Sequence, residues 1–472
     1  MFADAAAADH GPMTPTTTST VTIDDQPDAV TPPGPTGREN LRILRQLFDE
    51  PAPALRELAD TFGPVCALGF GPVRIAVIGD PTTLRAMMST NAAAFRWRHR
   101  YNKLGLGFVV GRQSLIVSDG EAHRRRRHAV QGAFSPPRLR EWTPMVRERT
   151  DAIIAEAART LPTTGVLEWT PLVRRLILEI TVNAIFGRSF AGSAEEIGAL
   201  MRRPQGLLEA PAIRQVPHPF PFTLRSGVRR DRRDLDRLID VEIDRLRTTE
   251  VEDHDDLLGV LVRSGSLSDA EIRDQVVTLL GAGFDTTSAA LTWMLLRVGT
   301  DPAVAAKIRS EADQRFDEAA ERGDMSELPY AGRVVRESLR LHPPGLLGIR
   351  MTASDQRIGQ FAVRGGTLVV WSPYLAGRDE RSWPDAARFD PDRFLDPTEE
   401  QRQLSERAWV PFGRGPHMCI GFALAQMELT MALSRLIQRL DIETLAREMP
   451  RPVGTVVNRP EGGAVTRVRL RR

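Results

Sequence analysis

The chain has 472 residues, 42% hydrophobic and 26% charged, the balance of a soluble globular protein. Its 63 basic and 61 acidic residues leave a formal net charge of +2, which argues against a dedicated nucleic-acid binder. Cys66 and Cys419 are too few for a disulfide framework, so a reducing, cytoplasmic setting is expected.

Residues 1–37 are rich in Ala, Thr and Pro and lack both a basic start and an apolar run. They read as a disordered tail, not as a signal peptide or anchor. Arg38 to Phe62 reads as short helices interrupted by Pro51 and Pro53. Val65–Phe70 and Val73–Ile78 read as a hairpin around Gly71-Pro72, and Asp80-Pro81 opens another helix. The stretch from Phe95 to Val117 is irregular and apolar, the kind that is buried or touches something apolar.

Gly120 to Phe134 is a strongly basic helix, followed by helical patterns over Leu139–Leu161 and Pro171–Phe186. Residues 203–224 break the pattern with Pro204, Pro211, Pro217, Pro219 and Pro221, and Val228–Arg247 resumes it. Ser268 and Glu271 have the spacing of a capping box and open a long helix that ends near Gly299. Its Val276–Leu296 portion has the length of a membrane span. Asp285 lies near the middle, where insertion costs about 2.5–3.5 kcal/mol, so a helix through a protein core fits better.

Strand-like patterns run from Thr352 to Ala376 with a turn at Gly365-Gly366. A poorly periodic meander over 377–418, a helix at about 421–440 and a β-like tail complete the chain. With no repeats and no internal linker, 38–472 reads as one mainly α domain with a small β portion.

Four places carry chemistry. Cys419 follows a Gly- and Pro-rich loop and precedes a helix, where free backbone N–H groups and the helix dipole favour the metal-ligating thiolate. The bland reading is a structural cysteine at a helix start. Ala282-Gly283-Phe284-Asp285-Thr286-Thr287 is a poor choice for a buried helix interior. A helix widened there opens a groove, with Thr286 bonding a freed carbonyl, and Asp285 beside Thr286 offers a proton relay. An internally satisfied polar kink is the alternative. Glu337 and Arg340 share a helix face at i and i+3, as do His123 and Arg127 at i and i+4.

The pattern F-x-x-G-x-H-x-C-x-G over Phe412–Gly421 resembles the haem-ligand loop of the cytochrome P450 family. The 282–287 segment, Glu337-x-x-Arg340, Phe389-Asp390-Pro391-Asp392-Arg393-Phe394 and His123-x-x-x-Arg127 extend the resemblance over 38–472 in the family's order. His417 stands where many members have arginine. The resemblance implies haem b ligated by Cys419, with Phe412 and Gly421 in the loop beneath the ring. It gives His123, Arg127, Arg350 and His417 to the propionates, and makes Asp285 and Thr286 the catalytic acid–alcohol pair. Glu337, Arg340 and Arg393 become a buried network that locks the meander.

The implied function is a monooxygenase that inserts one oxygen of O2 into an apolar small molecule, by hydroxylation or epoxidation, in secondary or lipid and terpenoid metabolism. Electrons come from NAD(P)H through a separate ferredoxin and ferredoxin reductase, steered by the basic Arg124–Arg127 face. The expected protein is a cytoplasmic monomer with no membrane anchor and no nucleic-acid partner. A peroxide-driven peroxygenase and a non-catalytic haem-binding sensor are the other readings. Substrate contacts are expected from 95–117, 203–224, Leu279, Ala282, Leu346–Ile349 and the turn near Val456-Val457.

Overall fold

The structure is a computed structural model and describes residues 30–471 apart from 71–72, 98, 100–101, 103, 211, 216–222 and 249–255. The hairpin turn Gly71-Pro72, four of the five prolines of 203–224 and residues 1–29 of the expected tail lie outside the described residues.

The main helices are α1 (Gly37–Asp49), α2 (Pro51–Phe62), α3 (Gly120–Gln131), α4 (Pro136–Thr160), α5 (Thr170–Phe186), α6 (Ala194–Leu208), α7 (Leu224–Thr248) and α8 (Leu257–Ser264). They continue with α9 (Asp269–Thr300), α10 (Pro302–Arg322), α11 (Pro329–Leu341), α12 (Glu399–Ala408) and α13 (Phe422–Arg439). The strands are β1 (Val65–Phe70), β2 (Val73–Ile78), β3 (Phe95–Arg96), β4 (Val166–Glu168), β5 (Gly348–Thr352), β6 (Gln356–Ile358), β7 (Phe361–Val363) and β8 (Leu368–Trp371). The tail adds β9 (Leu440–Thr444), β10 (Pro452–Val453), β11 (Arg459–Pro460) and β12 (Val465–Leu470). The mainly α class with little sheet is as expected.

The helices pack around α9, the spine of the molecule. Its capping box is formed as predicted: Glu271 N–H donates to Ser268 Oγ at 3.4 Å, and Ser268 N–H donates to the Glu271 carboxylate at 3.2 Å. Beyond it, Trp293, Met294 and Leu295 are fully buried among side chains of α4, α5, α10, α11 and α13. Each such apolar side chain stabilises the fold by about 1.5–3 kcal/mol.

The largest sheet runs β1-β2-β8-β5-β3, with β2 and β8 parallel and the other neighbours antiparallel. Helices α1 and α2 cover one face through Ile43, Leu47, Leu55 and Leu58. A second sheet, β4-β12-β9, ties the C-terminal tail to the start of α5.

Four expectations need correction. Residues 30–36 are not loose: Ala362 N–H donates to Val30 O at 3.0 Å and Ala67 N–H to Pro33 O at 2.8 Å. Helix α6 continues through Pro204, which is buried, because Ile197, Met201 and Leu207 anchor it in the core on either side. Tertiary packing there outweighs the lost hydrogen bond. The meander contains α12, opened by a Thr398–Gln401 capping box. Finally, α9 is an unbroken α-helix across 282–287, so the expected widening is absent.

Candidate active site

Cys419 ends a loop that two left-handed glycines shape, Gly413 (φ 68°) and Gly415 (φ 65°). Cys419 N–H donates to Phe412 O at 2.8 Å, which closes the loop upon itself. Phe412 anchors it between Trp409 and Phe422, at 5.8 and 6.2 Å between ring centroids. The thiol is accessible, whereas Cys66 is buried in the core. Its protein surroundings push the Cys419 thiol up, while the Gly421 N–H and the Arg127 guanidinium pull the other way.

Beside the loop stands a cluster of aromatic and basic groups. His123 and His417 stack with centroids 3.8 Å apart, and Trp97 lies 5.6 Å from His417. Arg350 from β5 sits over the Trp97 ring at 3.3 Å. Burial and neighbouring cations push His123 down to about 4 and His417 to about 2, so both imidazoles are neutral. Arg350 is buried with one hydrogen bond, to Ile349 O at 3.2 Å, and burial lowers it well below the usual arginine range.

This cluster fits a haem. Trp97 Nε1 and His123 Nε2 are buried without a hydrogen-bond partner, and no carboxylate pairs with Arg350 among the described residues. Buried donors and a buried cation bonded to no carboxylate suit an anion, which propionates would supply. Arg127, also expected at the propionates, has one contact on the cysteine loop. Its Nη1 donates to Met418 O at 2.7 Å, so it braces the cysteine loop from α3.

The rest of the basic helix is also committed. Arg126 donates to Glu271 at 3.0 Å and to Ser118 Oγ at 2.6 Å, Arg125 pairs with Glu271, and Arg124 with Glu121. The Arg124–Arg127 stretch is therefore less of a free cationic face than its sequence suggests.

On α9, Leu279, Ala282, Gly283 and Thr286 form a partly open stripe on an otherwise buried helix. Thr286 Oγ1 donates to Ala282 O at 2.6 Å. Asp285 faces elsewhere: Arg459 donates to Oδ2 at 2.5 Å, and Arg174 from α5 pairs with Oδ1. Asp285 and Thr286 are thus adjacent in sequence but bonded to different partners. Of the stretch offered to substrate after α11, Leu346 belongs to the core with Leu55 and Leu58, leaving Leu347 and Ile349 half-buried.

Sequence reading missed Trp97, Glu428, Arg174 and Arg459. Glu428 is buried in α13 and pushed up to about 8 by desolvation, with the Thr287 hydroxyl as its hydrogen-bond partner. A lone acid between Met427 and Leu429 was a readable signal for it. Arg174 and Arg459 had none, since each meets Asp285 across more than a hundred residues.

Beneath this site lies the predicted network. Arg340 donates to both Glu337 oxygens at 2.8 and 2.7 Å, and Arg393 Nε donates to Glu337 at 3.0 Å. Arg340 also donates to the carbonyls of Gly377, Ala386 and Arg388, at 2.5, 2.7 and 3.0 Å. The pair holds three points of the meander that leads to the cysteine loop.

An accessible cysteine on a locked loop, beside buried donors lacking an anion, defines a haem-thiolate protein. A sequence model described as cytochrome P450 matches residues 32–467. The chain belongs to the cytochrome P450 family, and it is a haem-thiolate monooxygenase that uses O2. It is 31% identical over 353 residues to cyclooctat-9-en-7-ol 5-monooxygenase of Streptomyces melanosporofaciens, covering 69% of this chain and 72% of that one. Pentalenene oxygenase of Streptomyces avermitilis is 28% identical, covering 84% and 88%. The solved structure of retinoic acid bound cyanobacterial CYP120A1 shares the fold with a TM-score of 0.82 at 23% identity, covering 94% and 100%. Among the described residues no helix is long and apolar enough to cross a membrane.

Proposed function

We propose that this monooxygenase hydroxylates or epoxidises an apolar isoprenoid-type small molecule. Electrons from NAD(P)H reach it through a separate ferredoxin and ferredoxin reductase. The observation that carries the substrate class is the pair of relatives whose names specify cyclooctat-9-en-7-ol and pentalenene, both hydrocarbon-rich rings. The partly open stripe of Leu279, Ala282 and Gly283 supplies an apolar wall suited to such a molecule.

Bound haem supplies the O2-activating chemistry, to which a cysteine thiolate contributes electron density. Cys419 is the ligand to iron, and its loop is braced by Phe412, Gly421 and Arg127. His123, Arg350, His417 and the Trp97 N–H hold the propionates. Asp285 and Thr286 manage protons: the carboxylate takes one from water and the hydroxyl of Thr286 passes it inward. To do so, Thr286 must exchange its bond to Ala282 O, and Asp285 its hold on Arg174 or Arg459.

Two spectra test this reading. The reduced CO complex is expected to show the red-shifted Soret band of thiolate ligation, and an unshifted, histidine-like band overturns it. Cyclic isoprenoid alcohols and hydrocarbons are expected to shift the ferric spin state. A panel in which only non-isoprenoid compounds shift it overturns the substrate class.

A further inference from the structure

Arg459 is held between two carboxylates. Its Nη2 donates to Asp285 Oδ2 at 2.5 Å, and its Nη1 lies 3.4 Å from Glu209 Oε1. Glu209 stands at the C-terminal cap of α6. Its carboxylate accepts three successive amide N–H groups of the tail turn: Thr455 at 2.8 Å, Val456 at 3.2 Å and Val457 at 3.0 Å. Consecutive amides of this kind form a nest for one anion, and here a side chain from α6 fills it.

The far side of the set meets open space. Arg174 and Arg459, with Thr170, Ser288 and Thr292, line a cavity of about 210 Å³, large enough for several waters. The Asp285 side chain is 4% exposed, against 32% for Arg174 and 28% for Arg459. Water therefore reaches the arginines more readily than the acid they clamp.

Two guanidinium groups and two carboxylates make the set neutral, and the two acids compete for Arg459. When Glu209 leaves, the full charge of Arg459 falls to Asp285 and tightens the clamp. When Glu209 is seated in the nest it shares Arg459 and weakens that hold. We propose that Arg459 is a positioning residue for Asp285, with its grip set by Glu209. Seating the end of α6 on the Thr455–Val457 turn then loosens the acid for proton exchange. Its catalytic consequence rests on the relay role given above to Asp285. The end of α6 and the Val456-Val457 turn are both segments that the sequence offers to substrate. A molecule lodged against them would act on the acid without touching it.

NAD(P)H consumption by the holoenzyme with a surrogate ferredoxin and ferredoxin reductase, run in H2O and D2O, tests the proposal without the native substrate. Glu209→Gln keeps a carbonyl oxygen for the nest but removes the charge. It is expected to lower kcat about fivefold, the scale of a modest coupling, and to raise the solvent isotope effect. The Glu209→Gln/Arg459→Gln double variant is expected to match Arg459→Gln alone. A Glu209→Gln effect that persists without Arg459 overturns the coupling, and Arg459→Lys should restore it in part.

The reciprocal measurement needs no turnover. Asp285→Asn leaves Arg459 to Glu209, so hydrogen exchange at the Thr455–Val457 amides is expected to slow several-fold. Unchanged or faster exchange overturns the coupling. If Asp285→Asn instead leaves ferredoxin-driven NAD(P)H consumption unchanged, the relay role fails, and the exchange result still judges the link between Glu209 and Asp285.

Discussion

The imidazoles of His123 and His417 stack at 3.8 Å between centroids and join α3 directly to the cysteine loop. Two residues separated by nearly three hundred positions thus form one wall of the proposed haem site. His123 Nε2 is buried and unpartnered there, which marks it as a donor reserved for an anion. His123→Leu is expected to speed haem loss by about tenfold or more, the usual cost of removing a supporting contact. Transfer of haem to excess apomyoglobin measures this, and an unchanged rate contradicts the assignment.

Glu337 is fully buried and is the shared carboxylate of Arg340 and Arg393. Glu337→Gln leaves two guanidinium groups without a counter-charge in the interior. Breaking a buried pair in this way costs about 3–5 kcal/mol, a large share of a protein's whole stability. The variant is expected to accumulate without haem, and a holoprotein of wild-type urea midpoint would refute the role of the network.

Glu428 gives a pH prediction with a definite sign. The unfolded chain releases its proton near 4.5 and the native protein near 8, because burial disfavours the carboxylate. Between these values the native state binds the extra proton, so this group's contribution falls as pH rises from 4.5 to 8. The slope is at most about 1.4 kcal/mol per pH unit. Glu428→Gln is expected to flatten the fall in Tm between pH 5 and pH 8, and parallel curves for the two proteins would be the contrary result.

Gly415 adopts φ 65°, and a Cβ there would lie 2.0 Å from Met88 O. Gly415→Ala therefore combines left-handed strain, about 1–2 kcal/mol, with a backbone clash. A native far-UV spectrum with reduced haem occupancy is expected, since the damage is confined to the loop. Full occupancy would show that the loop tolerates displacement.

Thr286→Ala removes the hydroxyl that now bonds Ala282 O. Relative to product, peroxide release is expected to rise several-fold, because proton delivery is misdirected. Unchanged coupling between NAD(P)H consumption and product would remove Thr286 from the relay.

Much of this protein was legible from local pattern. Ser268 and Glu271 announce α9 because a capping box is a contact within four residues. Cys419, its glycines and the Glu337–Arg340 pair are likewise short-range features, whose roles come from the family pattern they resemble. Two of the misreadings share one cause. Pro204 and the 282–287 segment look like helix breakers by propensity, yet both lie within helices whose flanks are buried. Packing, summed over many side chains, outweighs a local preference worth about 1–3 kcal/mol.

The sequence by itself determined the family and the mainly α class, and it singled out Cys419 and the Glu337–Arg340 pair, because each is written in motifs of short reach. Only the tertiary structure decided that Arg127 braces Met418 and that Trp97 and Arg350 stack beside the two histidines. It also decided that Asp285 is clamped by Arg174 and Arg459. Those contacts join residues far apart along the chain. Their partners are chosen by how helices and sheets close around one another, which no local run of residues encodes.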